Sequence, residues 1–318
     1  MKIFRPWAFQ GSLSRKNYFE GWYFKHVSSD MEDVWSFIPG ISLSPKGRQS
    51  FIQVLNGRTG LSQVFEYGDE AFNASSKELD VHIGNSHFNK EGITLDLKNT
   101  SHRISGSISY PFLEEYPSSL LKPGIMGWYS FVPFMECKHG IVSMYHKLKG
   151  GLHIDNTYVD FDGGTGYIEK DWGASFPESW IWLHCNTFKN SCTSFTFSVA
   201  KIPWLGSYFI GFISYLKLEG KFFNFSTWSK ARIKNLEYLE DKLIIHIVNK
   251  DYLLEIEAVN QQAGLLKAPD MGSMSRIIKE TVDATIWIKL QEHSGKILFE
   301  DRGIRAGLEL IDKILSYF

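Results

Sequence analysis

The sequence predicts an all-β protein, and three observations point there. Short runs alternate apolar and polar residues with a period of two, turn-forming glycines punctuate them, and only the C-terminal segment shows a helical repeat. The runs SFTFSVAKI (194–202), KLIIHIVNK (242–250), YLLEIEAV (252–259) and ATIWIKLQE (284–292) are rich in β-branched and aromatic residues, which fit a pleated, half-buried surface. Asn56-Gly57, Gly150-Gly151, Asp162-Gly163-Gly164 and Gly220 supply turns between such runs. Many short strands spaced in this way predict an antiparallel sandwich or barrel. In GIRAGLELIDKILSYF (303–318), Ile304, Leu308, Ile311 and Leu315 fall at i, i+4, i+7 and i+11, so a C-terminal helix is expected against the sheet. The glycine run at 163–167 separates two strand-rich halves and predicts modules at 1–162 and 163–318.

Composition narrows the function classes. Hydrophobic residues make up 43% and charged residues 22% of 318, the balance of a globular chain. Lys+Arg 34 against Asp+Glu 35 leaves a formal charge of −1, with no basic field for a phosphate backbone, so nucleic acid is not an expected partner. Cys137, Cys185 and Cys192 are odd in number and lack metal-ligand spacing, which suits reduced thiols in a cytoplasmic protein. The N-terminus has no apolar h-region, and the longest uncharged apolar stretch (202–216) is shorter than the roughly 20 residues of a spanning helix. Neither a signal peptide nor a transmembrane segment is expected. P-loop, GxGxxG, GxSxG and HExxH patterns do not occur, and no metal or cofactor is expected. His82 and His87 stand in polar surroundings and read as surface residues.

Chemistry concentrates in two stretches. In YFEGWYFK (18–25), alternation puts Tyr18, Glu20, Trp22 and Phe24 on one face and Phe19, Gly21, Tyr23 and Lys25 on the other. Both faces are aromatic, so Glu20 is desolvated and either pairs with Arg5, Arg15 or Arg48 or works as an acid. In GYIEKDWGASFPESWIWLHCN (166–186), Tyr167, Glu169 and Asp171 share one face. Beyond Pro177, Trp180, Trp182, His184 and Asn186 point one way and Ile181, Leu183 and Cys185 the other. Indoles mixed with an imidazole and an amide predict the wall of a ligand cavity, the alternative being a filled core. GIMGWYSFVPFMECKHG (124–140) adds Trp128 and further aromatic surface. IPWLGSYF (202–209) reads as a buried hairpin, with a lipid-touching tip at Trp204 and Leu205 as the alternative.

These stretches carry a resemblance. FEGWYFK (19–25) looks like the opening motif of the tocopherol cyclase family, and YIEKDWGASFPESWIWLHCN (167–186) is similar to its second signature. GIMGWYSFVPFMECKHGIVSMYHKLKGG (124–151), QQAGLLKAP (261–269) and GKILFEDRGIRAGLELI (295–311) extend the similarity, which runs from about residue 7 to 311. A more distant likeness reaches carotenoid 1,2-hydratases and lipocalin-like proteins. The resemblance implies two lipocalin-like antiparallel β modules side by side. It also implies a redox-neutral isoprenoid cyclisation without cofactor, in which the alkene of a prenylated quinol is protonated and the phenol oxygen closes a chromanol ring.

Set against that chemistry, Glu169 and Asp171, with Glu20 third, are the candidate proton donors, because burial among rings favours a protonated carboxyl. Trp22, Trp172, Trp180 and Trp182 are candidates to stabilise the carbocation, by roughly 0.5–2 kcal/mol each. His184 would accept the phenolic proton, Asn186 orient a quinol oxygen, and Tyr167 and Trp128 complete the substrate contacts. The expected partner is an apolar isoprenoid, with peripheral membrane contact. A lipid or isoprenoid carrier, an isoprenoid hydratase and a carbohydrate-binding protein are the competing readings.

Overall fold

The structure is a computed structural model describing residues 2–190 and 192–318. Among the described residues it is built almost wholly of antiparallel strands, and each helical segment is a 3-10 turn of six residues or fewer. Among the described residues no helix is long and apolar enough to cross a membrane.

Strands β1 to β4 run Tyr18–Val27, Val34–Ser44, Gly47–Asn56 and Ser62–Gly68. Short strands β5 to β9 follow at Phe72–Ala74, Asp80–Ile83, Ser86–Asn89, Gly92–Lys98 and Arg103–Ser109. Strands β10 to β13 run Cys137–Lys147, Lys149–Ile154, Thr157–Asp160 and Thr165–Gly173. Two sheets result, one of six strands in the order β10-β13-β1-β2-β3-β4 and one of seven in the order β12-β11-β9-β8-β7-β6-β5. They share one apolar core, to which the first sheet gives Phe24, Phe37, Ile52 and Ile168 and the second gives Ile83, Phe88, Leu95 and Leu152.

Strands β14 to β17 run Trp180–Cys185, Ser194–Trp204, Ser207–Leu218 and Lys221–Asn224. Strands β18 to β20 are Arg232–Leu239, Lys242–Val248 and Tyr252–Val259, and β21 to β23 are Gly264–Asp270, Ser273–Glu292 and Ile297–Leu310. They form a sheet in the order β17-β16-β15-β14-β23-β22-β20-β19-β18, with β21 paired to β22. One face of this sheet curls around its own core, where Ile181, Leu183 and Phe197 meet Ile245, Ile256 and Ile288. None of the sheets closes on itself.

Contacts group the chain into two compact units. The first comprises Met1–Asn56, Leu61–Phe176 and Leu266–Ile277; the second comprises Gly57–Gly60, Pro177–Leu265 and Ile278–Phe318. We propose 1–162 and 163–318 as the two modules in which the chain folds. The hairpin at 202–209 is present, and its tip is exposed rather than buried, with Leu205 at 69%.

The expected C-terminal helix is not formed. Residues 297–310 are strand β23, paired with β14 and β22, and only a 3-10 turn follows at Asp312–Tyr317. The misreading has a simple cause, since an i, i+4 pair such as Ile304 and Leu308 satisfies a period of two as well as one of 3.6. Ala306 and Leu308 enter the core of the second unit, while Gly307 lies against Trp182, whose ring would stand 2.5 Å from an added Cβ. Gly307→Ala therefore separates the two conformations. In the observed strand it overpacks the sheet and lowers stability by about 1–3 kcal/mol in chemical denaturation, whereas on an exposed helix alanine would raise stability by up to about 1 kcal/mol.

Candidate active site

Period-two alternation sorts the charged residues of β13 onto opposite faces of the six-stranded sheet. Ile168 and Lys170 point into the core of the first unit, and Tyr167, Glu169 and Asp171 point the other way.

On the core side, Glu20 and Lys170 are fully buried and form an ion pair. The partner of Glu20 is thus a lysine, not one of the three arginines considered from sequence. The Glu20 carboxylate also accepts the backbone N–H of Gln10 at 2.8 Å, that of Gly11 at 3.0 Å, and the Tyr18 hydroxyl. Lys170 donates to the Ala8 carbonyl, and its ammonium lies 4.6 Å from the Trp22 ring centroid and 5.0 Å from that of Trp172. Trp22 in turn donates through Nε1 to the Trp7 carbonyl at 2.8 Å. Trp22 and Trp172 therefore already hold a cation, the ammonium of the protein itself. Burial pulls Lys170 down to about 8, opposed by Glu20, and burial with the neighbouring carboxylate holds the Tyr18 phenol far above its ordinary range.

On the opposite face, β10 lies beside β13 with His139 opposite Asp171 and Ile141 opposite Glu169. The imidazole of His139 spans the two acids, with Nδ1 3.0 Å from Asp171 Oδ1 and Nε2 3.6 Å from Glu169 Oε2. Tyr167 donates its hydroxyl to Glu169 Oε2 at 2.6 Å. Tyr23, opposite Glu169 on β1, is buried and accepts a hydrogen bond from Ser36 at 2.9 Å. Glu169 is 5% exposed, while His139 and Asp171 are half-buried, so the group is sealed at one end and reachable at the other. Burial, then the carboxylates of Asp171 and Glu136, hold the Cys137 thiol well above its ordinary value, which keeps it protonated beside Asp171. A shallow cleft reaches His139 past Pro6, Gln10, Met126, Lys138 and Trp172. The ligand atoms of His139, Glu169 and Asp171 lie within 4.8 Å of one another, so this group can hold either a shared proton or a metal ion.

The remaining expected residues lie elsewhere. Trp180, Trp182 and His184 belong to the second unit, on the face of β14 away from its core, and Asn186 follows the strand end. Trp180 donates through Nε1 to Glu309 at 2.5 Å, and Trp182 stacks on His184 with centroids 6.3 Å apart. Trp128 sits in a 3-10 turn, stacked on Tyr129 and half exposed. His139 escaped the sequence reading because its meeting with Asp171 depends on a pairing 32 residues distant. The one local signal was the alternation of Cys137, His139 and Ile141.

The described residues thus bring an acid–imidazole–acid group onto one sheet face of an all-β fold. Residues 111–310 match the family model described as tocopherol cyclase-like. The chain belongs to the tocopherol cyclase-like family. It is 28% identical over 197 residues to a probable chloroplastic tocopherol cyclase of Oryza sativa subsp. japonica and 27% identical over 196 residues to a chloroplastic tocopherol cyclase of Zea mays. Each alignment covers 58% of this chain and 41% of the relative, so the match spans about two fifths of those proteins' own length.

In fold, the chain is similar to CghA crystallised with Sch210972, with a TM-score of 0.58 and 10% identity over 92% of this chain and 88% of that one. It is also similar to kievitone hydratase from Nectria haematococca, with a TM-score of 0.51 and 10% identity over 92% and 89%. The architecture is all-β and lipocalin-like.

Removing one partner of a buried pair leaves the other charge uncompensated, at a cost of about 3–5 kcal/mol. Lys170→Met is expected to lose about that much stability in urea unfolding, and Lys170→Met with Glu20→Gln to recover part of it. The lysine's pH dependence follows from its lowered value. Between about 8 and 10.5 the unfolded chain holds the proton that folded Lys170 has released, so this group's contribution to stability rises with pH across that window. The difference in unfolding free energy between the native chain and Lys170→Met should widen accordingly.

Proposed function

We propose that this chain is a tocopherol cyclase-like isoprenoid cyclase, closing a chromanol ring on a prenylated quinol without net redox change. The observation that carries this reading, beside family membership, is the imidazole of His139 held between a buried and a half-buried carboxylate. Glu169, enclosed and close to Tyr167 and Tyr23, is the proposed acid that protonates the trisubstituted alkene. The phenol oxygen attacks the resulting tertiary cation, and its proton passes to His139, which Asp171 orients through Nδ1. From Nε2 the proton returns to Glu169 across the 3.6 Å separation, so the cycle ends as it began and the product is an isomer of the substrate. Lys170 leaves this cycle undisturbed because it points through the other face to Glu20. On this reading Glu20, Trp22 and Trp172 anchor the fold rather than touch substrate.

For Trp180, Trp182, His184 and Asn186, all buried, the proposed role is contact with an apolar ligand. Exposed Phe112, Leu121, Trp128 and Phe134 in the first unit give a greasy substrate a place to approach. The half-exposed edge of Asp171 favours one second reading, a hydratase in which water captures the same cation.

A panel of prenylated quinols followed by chromatography and mass spectrometry tests the proposal. The native chain is expected to give a product of unchanged mass and altered retention. Glu169→Gln is expected to lower kcat by about 10²–10⁴-fold, and His139→Gln by about 10²-fold. Solvent oxygen-18 in the product would establish hydration instead, and ligand binding with unaltered substrate would establish a carrier. Membrane contact is proposed at the β15–β16 tip, where Trp204, Leu205 and Tyr208 are exposed. Trp204→Ser with Leu205→Ser should then reduce co-sedimentation with phosphatidylcholine vesicles.

A further inference from the structure

The second sheet of the first unit brings together residues that stand apart from the candidate active site. Strands β6 and β7 form a hairpin through a two-residue turn at Gly84-Asn85, in which Gly84 has a φ of 56°, a left-handed conformation that glycine adopts without strain. The register places His82 directly opposite His87, and Asp80, two residues before His82, on the same face. The two imidazoles stack with centroids 3.9 Å apart and ring planes 8° from parallel. Both Nε2 atoms converge on a single oxygen, Asp80 Oδ1, at 3.3 Å from His82 and 2.7 Å from His87. All three ligand atoms lie within 4.8 Å of one another.

We propose that Asp80, His82 and His87 form a binding site for a divalent transition-metal ion of the zinc class. Two imidazole nitrogens and one carboxylate oxygen are a borderline donor set that suits Zn²⁺, Co²⁺, Ni²⁺ or Cu²⁺ and disfavours Mg²⁺ and Ca²⁺, which require oxygen ligands. With metal–ligand bonds of about 2.0–2.2 Å, the donor atoms of a tetrahedral site stand about 3.3 Å apart. The His82–Asp80 separation is already that distance, and the closer His87–Asp80 contact opens to it through small rotations of half-exposed side chains. The fourth position faces solvent and takes water. The fold preorganises the donors, because β5 and β8 flank the hairpin and hold its register. A bound ion would therefore link the two strands of the hairpin and stabilise the folded unit.

The test uses the full chain without an affinity tag, stripped of metal by a chelator. It is titrated with ZnCl₂ by calorimetry and with CoCl₂ by visible absorption. The expected result is one site per chain, a cobalt d–d band and a melting temperature that rises on adding Zn²⁺. His82→Gln and His87→Gln should each weaken that site at least tenfold and abolish the rise. Asp80→Asn, which keeps a hydrogen-bond acceptor of the same shape, should weaken it with the far-UV spectrum unchanged. His139→Gln should leave it intact, which separates it from the group at Glu169 and Asp171. The proposal is overturned if the native chain shows no isotherm, if the site survives both His82→Gln and His87→Gln, or if His139→Gln alone removes it.

Discussion

The buried ion pair between Glu20 and Lys170 is the constraint around which the first unit is arranged. Neither group meets water, so each must be satisfied by the protein, and the chain does this with its own N-terminal segment. Gln10 and Gly11 supply N–H groups to the carboxylate, Ala8 supplies a carbonyl to the ammonium, and Trp22 ties down Trp7. Residues 7–11 are thereby docked against β1 and β13, and Phe9 and Trp7 complete the apolar core. Because Glu20 lies on β1 and Lys170 on β13, the pair also holds the two strands in the register that sets Tyr23 opposite Glu169.

That register determines what happens on the other side of the sheet. Alternation along Glu169-Lys170-Asp171 sends the lysine inward, to Glu20, and both acids outward. The two acids meet at the imidazole of His139. An imidazole can give and take a proton near neutral pH, and on this rests the proton-transfer role proposed for this face. The match over 111–310 includes β10 and β13, the strands that carry His139, Glu169 and Asp171.

Much of the strand content was legible because its signal is local. The runs at 194–202, 242–250 and 252–259 fall on β15, β19 and β20, and the face assignments of YFEGWYFK and WIWLHC hold residue by residue. The burial of Glu20 was equally legible, since a carboxyl flanked by rings on both faces of a strand has no route to water. Its partner was not, because Lys170 lies 150 positions away along the chain. The C-terminal helix failed for a different reason. Apolar spacing of four residues is shared by helix and strand, and the choice was made by β14 and β22, which offer β23 backbone partners on both edges.

What the amino-acid order determined by itself is the all-β class, the two faces of each strand and the concentration of acids and aromatic rings in two motifs, since these follow from side-chain chemistry at a period of two. Only the tertiary structure decided which strands lie side by side. It placed His139 between Glu169 and Asp171, gave Lys170 to Glu20, and stacked His82 on His87 over Asp80. The physical reason is that strand pairing is made by backbone hydrogen bonds common to every residue, so the sequence of one strand does not name its neighbour. The packing of whole sheets does.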